Sequence, residues 1–194
     1  MSIEVTHSAG PEPDRAAFYF DFASPEAYLA AERVLQTLPF AAEWIPIRAP
    51  RDWHAFRCQT EEDIAREAVE RTAARRSLQA LRWPEQFDSE LALRAATYAK
   101  QIGRVVAFSL AAFRQAYAGG HDLADTDVVL IAASACEMHP RAVLQALERD
   151  AVTRALDEAT ALAQQRGVLD VPAVWTPDGA VAHGDAALDS LATA

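Results

Sequence analysis

A short stretch near the start of the chain restricts the fold more than any other feature. Residues 16–22 (AAFYFDF) form an apolar, aromatic run of strand length, and Ser24-Pro25 follows one residue later. A helix accepts proline best in its first turn, so this pair predicts a helix that begins near Ser24 and runs to Pro39. Residues 42–47 (AEWIPI) then predict a second strand. A β-α-β unit therefore opens the chain.

The middle of the chain, residues 60–150, is almost free of strand signals and predicts an all-helical block. Pro and Gly residues mark its breaks, because proline disfavours helical backbone in the residue before it and glycine permits turns. The predicted helices cover residues 61–76, 89–117, 125–137 and 141–147.

The last part of the chain returns to a mixed pattern. A predicted helix over residues 151–165 is followed by a strand over residues 171–175 and a Pro-Asp-Gly turn at residues 177–179. The turn predicts a hairpin whose second strand covers residues 180–183. A short helix over residues 185–191 completes the pattern.

This order of elements predicts an α/β protein with a thioredoxin-like fold and a large all-helical insertion. We assign residues 1–59 and 151–194 to the thioredoxin-like domain and residues 60–150 to the inserted helical domain. With 194 residues, half of them hydrophobic, the chain is long enough to bury one sizeable core.

Charge and cysteine content restrict the possible partners and compartment. The formal net charge of -10 disfavours nucleic acid and anionic membranes, which are bound through clustered Lys and Arg, and favours a small-molecule substrate. The first 17 residues lack the pattern of a signal peptide, and no segment has the length of a membrane span, so we expect a cytoplasmic protein. Cys58 and Cys136 lie outside any metal-ligand or Cys-x-x-Cys spacing, and we expect no metal.

Three segments resemble one protein family, in the order in which that family carries them. Residues 21–30 (DFASPEAYLA) resemble the strand-to-helix opening of the 2-hydroxychromene-2-carboxylate isomerase and kappa-class glutathione transferase group, a DsbA-like branch of thioredoxin folds. Residues 107–130 resemble its central helical stretch, and residues 166–191 resemble its terminal segment.

Ser24 is the catalytic candidate that this resemblance implies. Redox enzymes of the thioredoxin type carry Cys-x-x-Cys in the first turn of this helix, but the corresponding residues here are Ser24 and Ala27, so we expect no disulfide exchange. The resemblance implies that the Ser24 hydroxyl donates a hydrogen bond to the thiolate of glutathione, at the positive end of the helix. The residues alone also fit a simpler interpretation, an N-cap before proline with no ligand.

The resemblance implies further cofactor-binding residues, Val171, Pro172 and Asp185. In the family the Val-Pro peptide bond is cis, and the backbone of the preceding residue faces the cysteinyl part of the thiol peptide; from the residues alone, a trans proline at a strand edge is more common. The family's last helix begins with Gly-x-Asp-Arg, whose Asp receives the γ-glutamyl ammonium. Here Asp185 stands one position early, with alanine at both following positions. Asp170 replaces a glycine of the family, and a nearby anion works against thiolate formation.

The activity implied is that of a glutathione-dependent isomerase of aromatic catabolism, acting on 2-hydroxychromene-2-carboxylate or a related unsaturated keto acid. An acidic substrate needs a cation, and the candidates are Arg48, Arg51, His54 and Arg94. Two alternatives stay open: a kappa-like glutathione transferase, and a non-catalytic thioredoxin-fold protein without redox cysteines. Relatives pair, so the resemblance also implies a homodimer.

Overall fold

A four-stranded mixed sheet forms the centre of the protein. The computed structural model describes residues 15–85 and 87–192 of the 194-residue chain. The strands in these ranges are β1 (Ala17–Phe20), β2 (Glu43–Pro46), β3 (Ala173–Trp175) and β4 (Val181–His183), in the spatial order β2-β1-β3-β4. β1 is parallel to β2 and antiparallel to β3, and β3 is antiparallel to β4.

Helices surround this sheet and form the whole middle of the chain. In the same ranges they are α1 (Pro25–Ala31), α2 (Val34–Thr37), α3 (Gln59–Arg75), α4 (Glu90–Gln101), α5 (Val105–Tyr117), α6 (Thr126–Ser134), α7 (Pro140–Leu147), α8 (Asp150–Gln165) and α9 (Ala187–Ala192). The predicted α/β class with a helical insertion is confirmed. Of these helices, none has the length and apolar character needed to cross a membrane. The division into two domains stays a prediction.

Two helix predictions are wrong, because each predicted helix is two shorter helices in the structure. The helix predicted over residues 89–117 is broken at Gly103, whose φ of +71° is the left-handed conformation that ends helices and favours glycine. The helix predicted from Ser24 to Pro39 is broken between α1 and α2. Arg33 lies at this second break, where its guanidinium pairs with two carboxylates of the C-terminal segment.

The central strand β1 is fixed in the core because its side chains alternate between two apolar clusters. Phe18 and Phe20 pack into one cluster, and Tyr19 packs into the other, on the opposite face of the sheet. All four residues of β1 are buried. Full burial of one such side chain contributes about 1.5–3 kcal/mol. The buried end of β1 therefore positions residues 21–24, which connect β1 to α1.

Candidate functional site

Ser24 caps α1, as the sequence predicts. Its backbone is extended (φ -96°, ψ 113°), Pro25 occupies the first position of the helix, and the Ser24 Oγ accepts a hydrogen bond from the Ala27 N–H at 3.2 Å. The side chain is almost completely buried, since 2% of Ser24 is exposed. The N-cap interpretation is thus confirmed, and a further role of the hydroxyl depends on its second hydrogen bond.

That second hydrogen bond joins Ser24 to the other predicted segment of the site. The Ser24 Oγ donates to the Val171 carbonyl at 3.2 Å, and the Val171–Pro172 peptide bond is cis. The Pro172 carbonyl in turn accepts a hydrogen bond from the Gly184 N–H at 2.8 Å. The structure therefore brings together three of the four predicted site residues, Ser24, Val171 and Pro172, and connects them to the turn that carries the fourth, Asp185.

The backbone of Val171 is fully bonded within the chain. Its carbonyl accepts from Ser24, and its N–H donates to Oδ1 of Asp170 at 2.8 Å. The other oxygen of Asp170 lies 3.3 Å from Nη1 of Arg51. These are the two backbone groups that the resemblance assigns to a thiol peptide. A bound peptide would have to replace both internal hydrogen bonds.

Asp185 is buried and ion-paired with two arginines. It is 8% exposed, and its carboxylate accepts from Nε of Arg33 at 3.1 Å and from both terminal nitrogens of Arg76, Nη1 at 2.9 Å. A second contact joins Nη2 of Arg33 to the Asp185 carbonyl at 2.7 Å. These ion pairs of Asp185 therefore connect the start of the C-terminal helix to the α1–α2 break and to the end of α3. Its role toward an ammonium group stays a prediction.

A cavity of about 290 Å³ adjoins these residues. Its walls come from the first turns of α1, one face of α3, the aromatic ring of Trp53 and the turn at residues 184–186. Glu26 and Asp185 are the two carboxylates that line it. The cavity therefore lies between the residue that follows Pro25 and the turn joined to Pro172.

Glu26 has no ion-pair partner among the described residues, and the two charged groups that affect it, Asp170 and Asp185, are both carboxylates. Its side chain reaches solvent, but the surrounding protein removes enough water to raise the pKa of Glu26, and the charges of Asp170 and Asp185 raise it further. No basic group lowers it. Sequence analysis did not select Glu26, because a glutamate in the first turn of a helix is ordinary.

Asp21 is a second site residue that sequence analysis missed. It is 4% exposed, and it accepts three hydrogen bonds: from Ser89 Oγ at 2.6 Å, from the Ala23 N–H at 2.9 Å and from the Ala49 N–H at 2.8 Å. Burial raises its pKa despite these bonds. Asp21 therefore holds the β1–α1 turn, the loop after β2 and the start of α4 together. The sequence feature that could have identified Asp21 is that it is the one charged residue in the apolar run at residues 16–22.

Two of the four candidate substrate cations contact the site. His54 Nε2 lies 3.0 Å from the carbonyl of Ala23, the residue before Ser24, and burial lowers the pKa of His54. Arg51 reaches Asp170, as described above. Arg48 is instead engaged with Glu90 and Asp157. The fourth candidate, Arg94, lies on α4 with its Nε buried and without a hydrogen-bond partner.

Both cysteines are free thiols outside this arrangement. Cys58 is exposed immediately before α3, and Cys136 is buried after α6. The described residues also contain no group of His, Cys, Asp and Glu that could hold a metal ion. At the N-cap of α1 the chain carries the hydroxyl of Ser24 and no thiol.

Comparison with a family model identifies the kind of domain. The model of the DSBA-like thioredoxin domain matches residues 16–194. No curated protein matches the chain.

Solved structures give the same fold at low sequence identity. A 2-hydroxychromene-2-carboxylate isomerase has a TM-score of 0.80 at 20% identity, over 93% of each chain. A probable DsbA oxidoreductase from Streptomyces coelicolor has a TM-score of 0.74 at 19% identity, over 92% of this chain and 88% of that one. A putative protein disulfide isomerase from Nitrosomonas europaea has a TM-score of 0.65 at 14% identity, over 92% of this chain and 96% of that one. The thioredoxin-like fold is thereby confirmed.

Proposed function

The chain belongs to the DSBA-like thioredoxin domain family, and we propose that it is a glutathione-dependent isomerase rather than a disulfide oxidoreductase, because the N-cap of α1 is a serine and both cysteines lie elsewhere. Its substrate is 2-hydroxychromene-2-carboxylate or a related unsaturated aromatic keto acid. The observation that carries the proposal is the hydrogen bond from Ser24 to the carbonyl before cis-Pro172, at the position where redox members hold a reactive thiol.

The hydroxyl of Ser24 can donate its proton to a different acceptor and still cap α1. Rotation about the Cβ–Oγ bond redirects the proton, while the oxygen continues to accept from Ala27. The bond to the Val171 carbonyl is neutral and contributes about 0.5–1.5 kcal/mol, whereas a bond to a thiolate is charge-assisted and contributes about 1.5–3 kcal/mol. A thiolate beside Pro172 therefore competes successfully for the Ser24 proton.

The hemiketal ring of 2-hydroxychromene-2-carboxylate first opens: the bond between C2 and the ring oxygen breaks, the C2 hydroxyl loses its proton to become the keto group, and the ring oxygen takes up a proton as a phenol. The isomerisation then proceeds by reversible addition to this open form. The glutathione thiolate forms a carbon–sulfur bond to the double bond conjugated with the keto group, and the displaced electron pair moves to the keto oxygen as an enolate. The former double bond is now single and rotates. Collapse of the enolate re-forms the double bond in the other geometry and expels the thiolate, which Ser24 stabilises again. Glutathione is regenerated, and no oxidant is needed.

The substrate carboxylate would be met by Arg51, which contacts the residue before Val171. Among residues 15–85 and 87–192, the ion pair of Arg51 is an exposed one with Asp170, and such pairs contribute about 0–1 kcal/mol. Arg51 can therefore be diverted to a substrate at small cost. Burial lowers the pKa of His54, and the Nε2 of a neutral ring donates its one proton to the Ala23 carbonyl, so His54 positions the residue before Ser24 and does not bind the carboxylate.

Two other functions would use the same residues. A kappa-like glutathione transferase would also activate the thiol through Ser24, so only the products distinguish it from an isomerase. A non-catalytic protein is favoured by one specific observation: Ser24, both backbone groups of Val171 and Asp185 all have partners within the chain. The homodimer expected by resemblance stays a proposal, to be tested by sedimentation.

Calorimetric titration with glutathione tests the proposal on wild type, Ser24→Ala and Asp125→Ala. Asp125 caps α6 through the Asp127 N–H, so its substitution removes a comparable cap on a different helix. We expect Ser24→Ala to weaken binding by about 10- to 100-fold, which corresponds to one charge-assisted bond, and Asp125→Ala to leave it unchanged. Turnover of 2-hydroxychromene-2-carboxylate with glutathione then identifies the reaction. Absence of binding at millimolar glutathione overturns both enzyme assignments and leaves the non-catalytic one.

A further inference from the structure

The backbone of Val171 lies just outside the sheet. The ladders of β3 end at Ala173, which pairs with Tyr19 of β1 on one side and with His183 of β4 on the other. In the described part of the chain, neither ladder extends to Val171. The N–H and C=O of Val171 are therefore the backbone groups that a strand added at this end of the sheet would use.

A neighbouring carboxylate already binds the N–H of this pair. Oδ1 of Asp170 accepts from the Val171 N–H at 2.8 Å, while Oδ2 of Asp170 lies 3.3 Å from Nη1 of Arg51. The contact joins adjacent residues, so rotation of one side chain is enough to break it. The Asp170 side chain is 37% exposed, and a ligand that arrives from solvent can reach it. Asp170 thus holds the N–H that the carbonyl of an incoming strand would bind.

The carboxylate of Asp170 is a stronger acceptor than the carbonyl that would replace it. A hydrogen bond to an ionised group is roughly twice as strong as one between neutral groups, so the replacement exchanges a stronger bond for a weaker one. The carboxylate also acts through its charge. After burial, the charge of Asp170 is the next cause that raises the pKa of Glu26, in the first turn of α1. The same charge disfavours a thiolate held at that turn.

We propose that Asp170 is a specificity-determining residue of the site, and that it competes with the ligand for the Val171 N–H. A thiol whose cysteinyl carbonyl has to take this N–H binds more weakly than it would without Asp170. A thiol held through Ser24 alone does not meet this competition. The inference rests on the proposed function, because that function places a thiol beside Ser24 and Val171.

Two variants separate the competition from the charge of Asp170. Asp170→Asn removes the charge and keeps a side-chain oxygen that can accept from the Val171 N–H, whereas Asp170→Ala removes both. These variants have the same net charge, so the difference in their affinity for glutathione measures the acceptor alone.

Asp178→Ala is the matched control. Asp178 accepts from the Ala180 N–H in the turn between β3 and β4, at the opposite end of these strands from Val171. Thermal melts show that each variant is folded, and calorimetric titration with glutathione near neutral pH gives the affinities.

We expect the affinity for glutathione to rise from wild type to Asp170→Asn and again to Asp170→Ala. Asp170→Ala should bind about 2- to 10-fold more tightly than Asp170→Asn, which is the range for one neutral hydrogen bond, and Asp178→Ala should match wild type. If Asp170→Ala binds no more tightly than Asp170→Asn, the competition is overturned while thiol binding stands. If Asp170→Ala binds and wild type does not, the competition is supported and the proposed function fails. If none of the proteins binds at millimolar glutathione, both fail.

Discussion

The hydroxyl of Ser24 and the carbonyl of Val171 meet at 3.2 Å although the two residues are 147 positions apart in the chain. One end of this contact caps α1, and the other precedes the cis-proline. The contact therefore couples local helix stability to the geometry of the candidate site, and substitutions at Ser24 should report on both.

Ser24→Ala should lower the free energy of unfolding by about 1–3 kcal/mol. It removes an N-cap, which contributes about 1 kcal/mol, and leaves the Val171 carbonyl without its donor. Urea denaturation measures the change, and Ser24→Thr, which retains a hydroxyl, should recover most of the loss. Equal stability of Ser24→Ala and wild type would contradict the contact.

Asp21→Asn should destabilise the fold by about 1–3 kcal/mol, although it changes one atom. Asp21 accepts three hydrogen bonds, and an amide presents an N–H group to at least one of the donors, which is then buried without an acceptor. Asp125→Asn is the matched control, because asparagine caps helices as well as aspartate does. Similar losses in the two variants under chemical denaturation would argue against a special role of Asp21.

Arg76→Met, at the C-cap of α3, should be more destabilising than Arg71→Met within α3. Arg76 bonds to the buried carboxylate of Asp185, and hydrogen bonds to charged groups contribute about 1.5–3 kcal/mol. Arg71 forms an exposed pair with Glu67, for which about 0.3–0.5 kcal/mol is typical. Denaturant midpoints of both variants give the comparison, and the reverse order would refute the anchoring role of Asp185.

The carboxyl group of Glu26 should titrate above the ordinary range of glutamate, which NMR of its side-chain carbon can follow. Burial is the main cause and the charge of Asp170 is the next, so Asp170→Asn should lower the pKa of Glu26. The raised pKa means that the folded state holds this proton more tightly than the unfolded state does. The corresponding stability is present below the unfolded pKa and is lost as pH rises through the folded one. Glu26→Gln should therefore gain stability over wild type as pH rises, and a pH-independent difference would contradict the shift.

Local sequence signals predicted β1, the start of α1 and the terminal hairpin. The apolar, aromatic run, Ser24 before Pro25 and the Pro-Asp-Gly turn act over a few residues, so each is visible in the sequence. The division at Gly103 was also visible, since a glycine inside a helical pattern often ends a helix. It was missed because the flanking segments are strongly helical.

Contacts between distant parts of the chain could not be predicted in this way. Asp185 meets Arg76 across 109 positions, and Asp21 meets Ser89 across 68. No local pattern states which arginine or which hydroxyl neutralises a buried carboxylate, because tertiary packing decides it. Resemblance to the family selected Ser24, Val171-Pro172 and Asp185 as site residues. Their hydrogen-bond and ion-pair partners within the chain became visible only in the structure.

The Ser24 hydroxyl has one proton, so it can donate either to the Val171 carbonyl or to a bound thiolate, but not to both. While this proton is donated to Val171, the cis-proline loop is tethered to the cap of α1, and a thiolate that takes the proton releases this tether. Pro172 then keeps its bond from Gly184, and the loop stays connected through the Leu169 N–H, which donates to His183, and through the ion pair of Asp170 with Arg51. A bound thiol peptide would also replace the bond from the Val171 N–H to Asp170, so the NMR chemical shift of that amide becomes an internal reporter of occupancy that needs no chromophore.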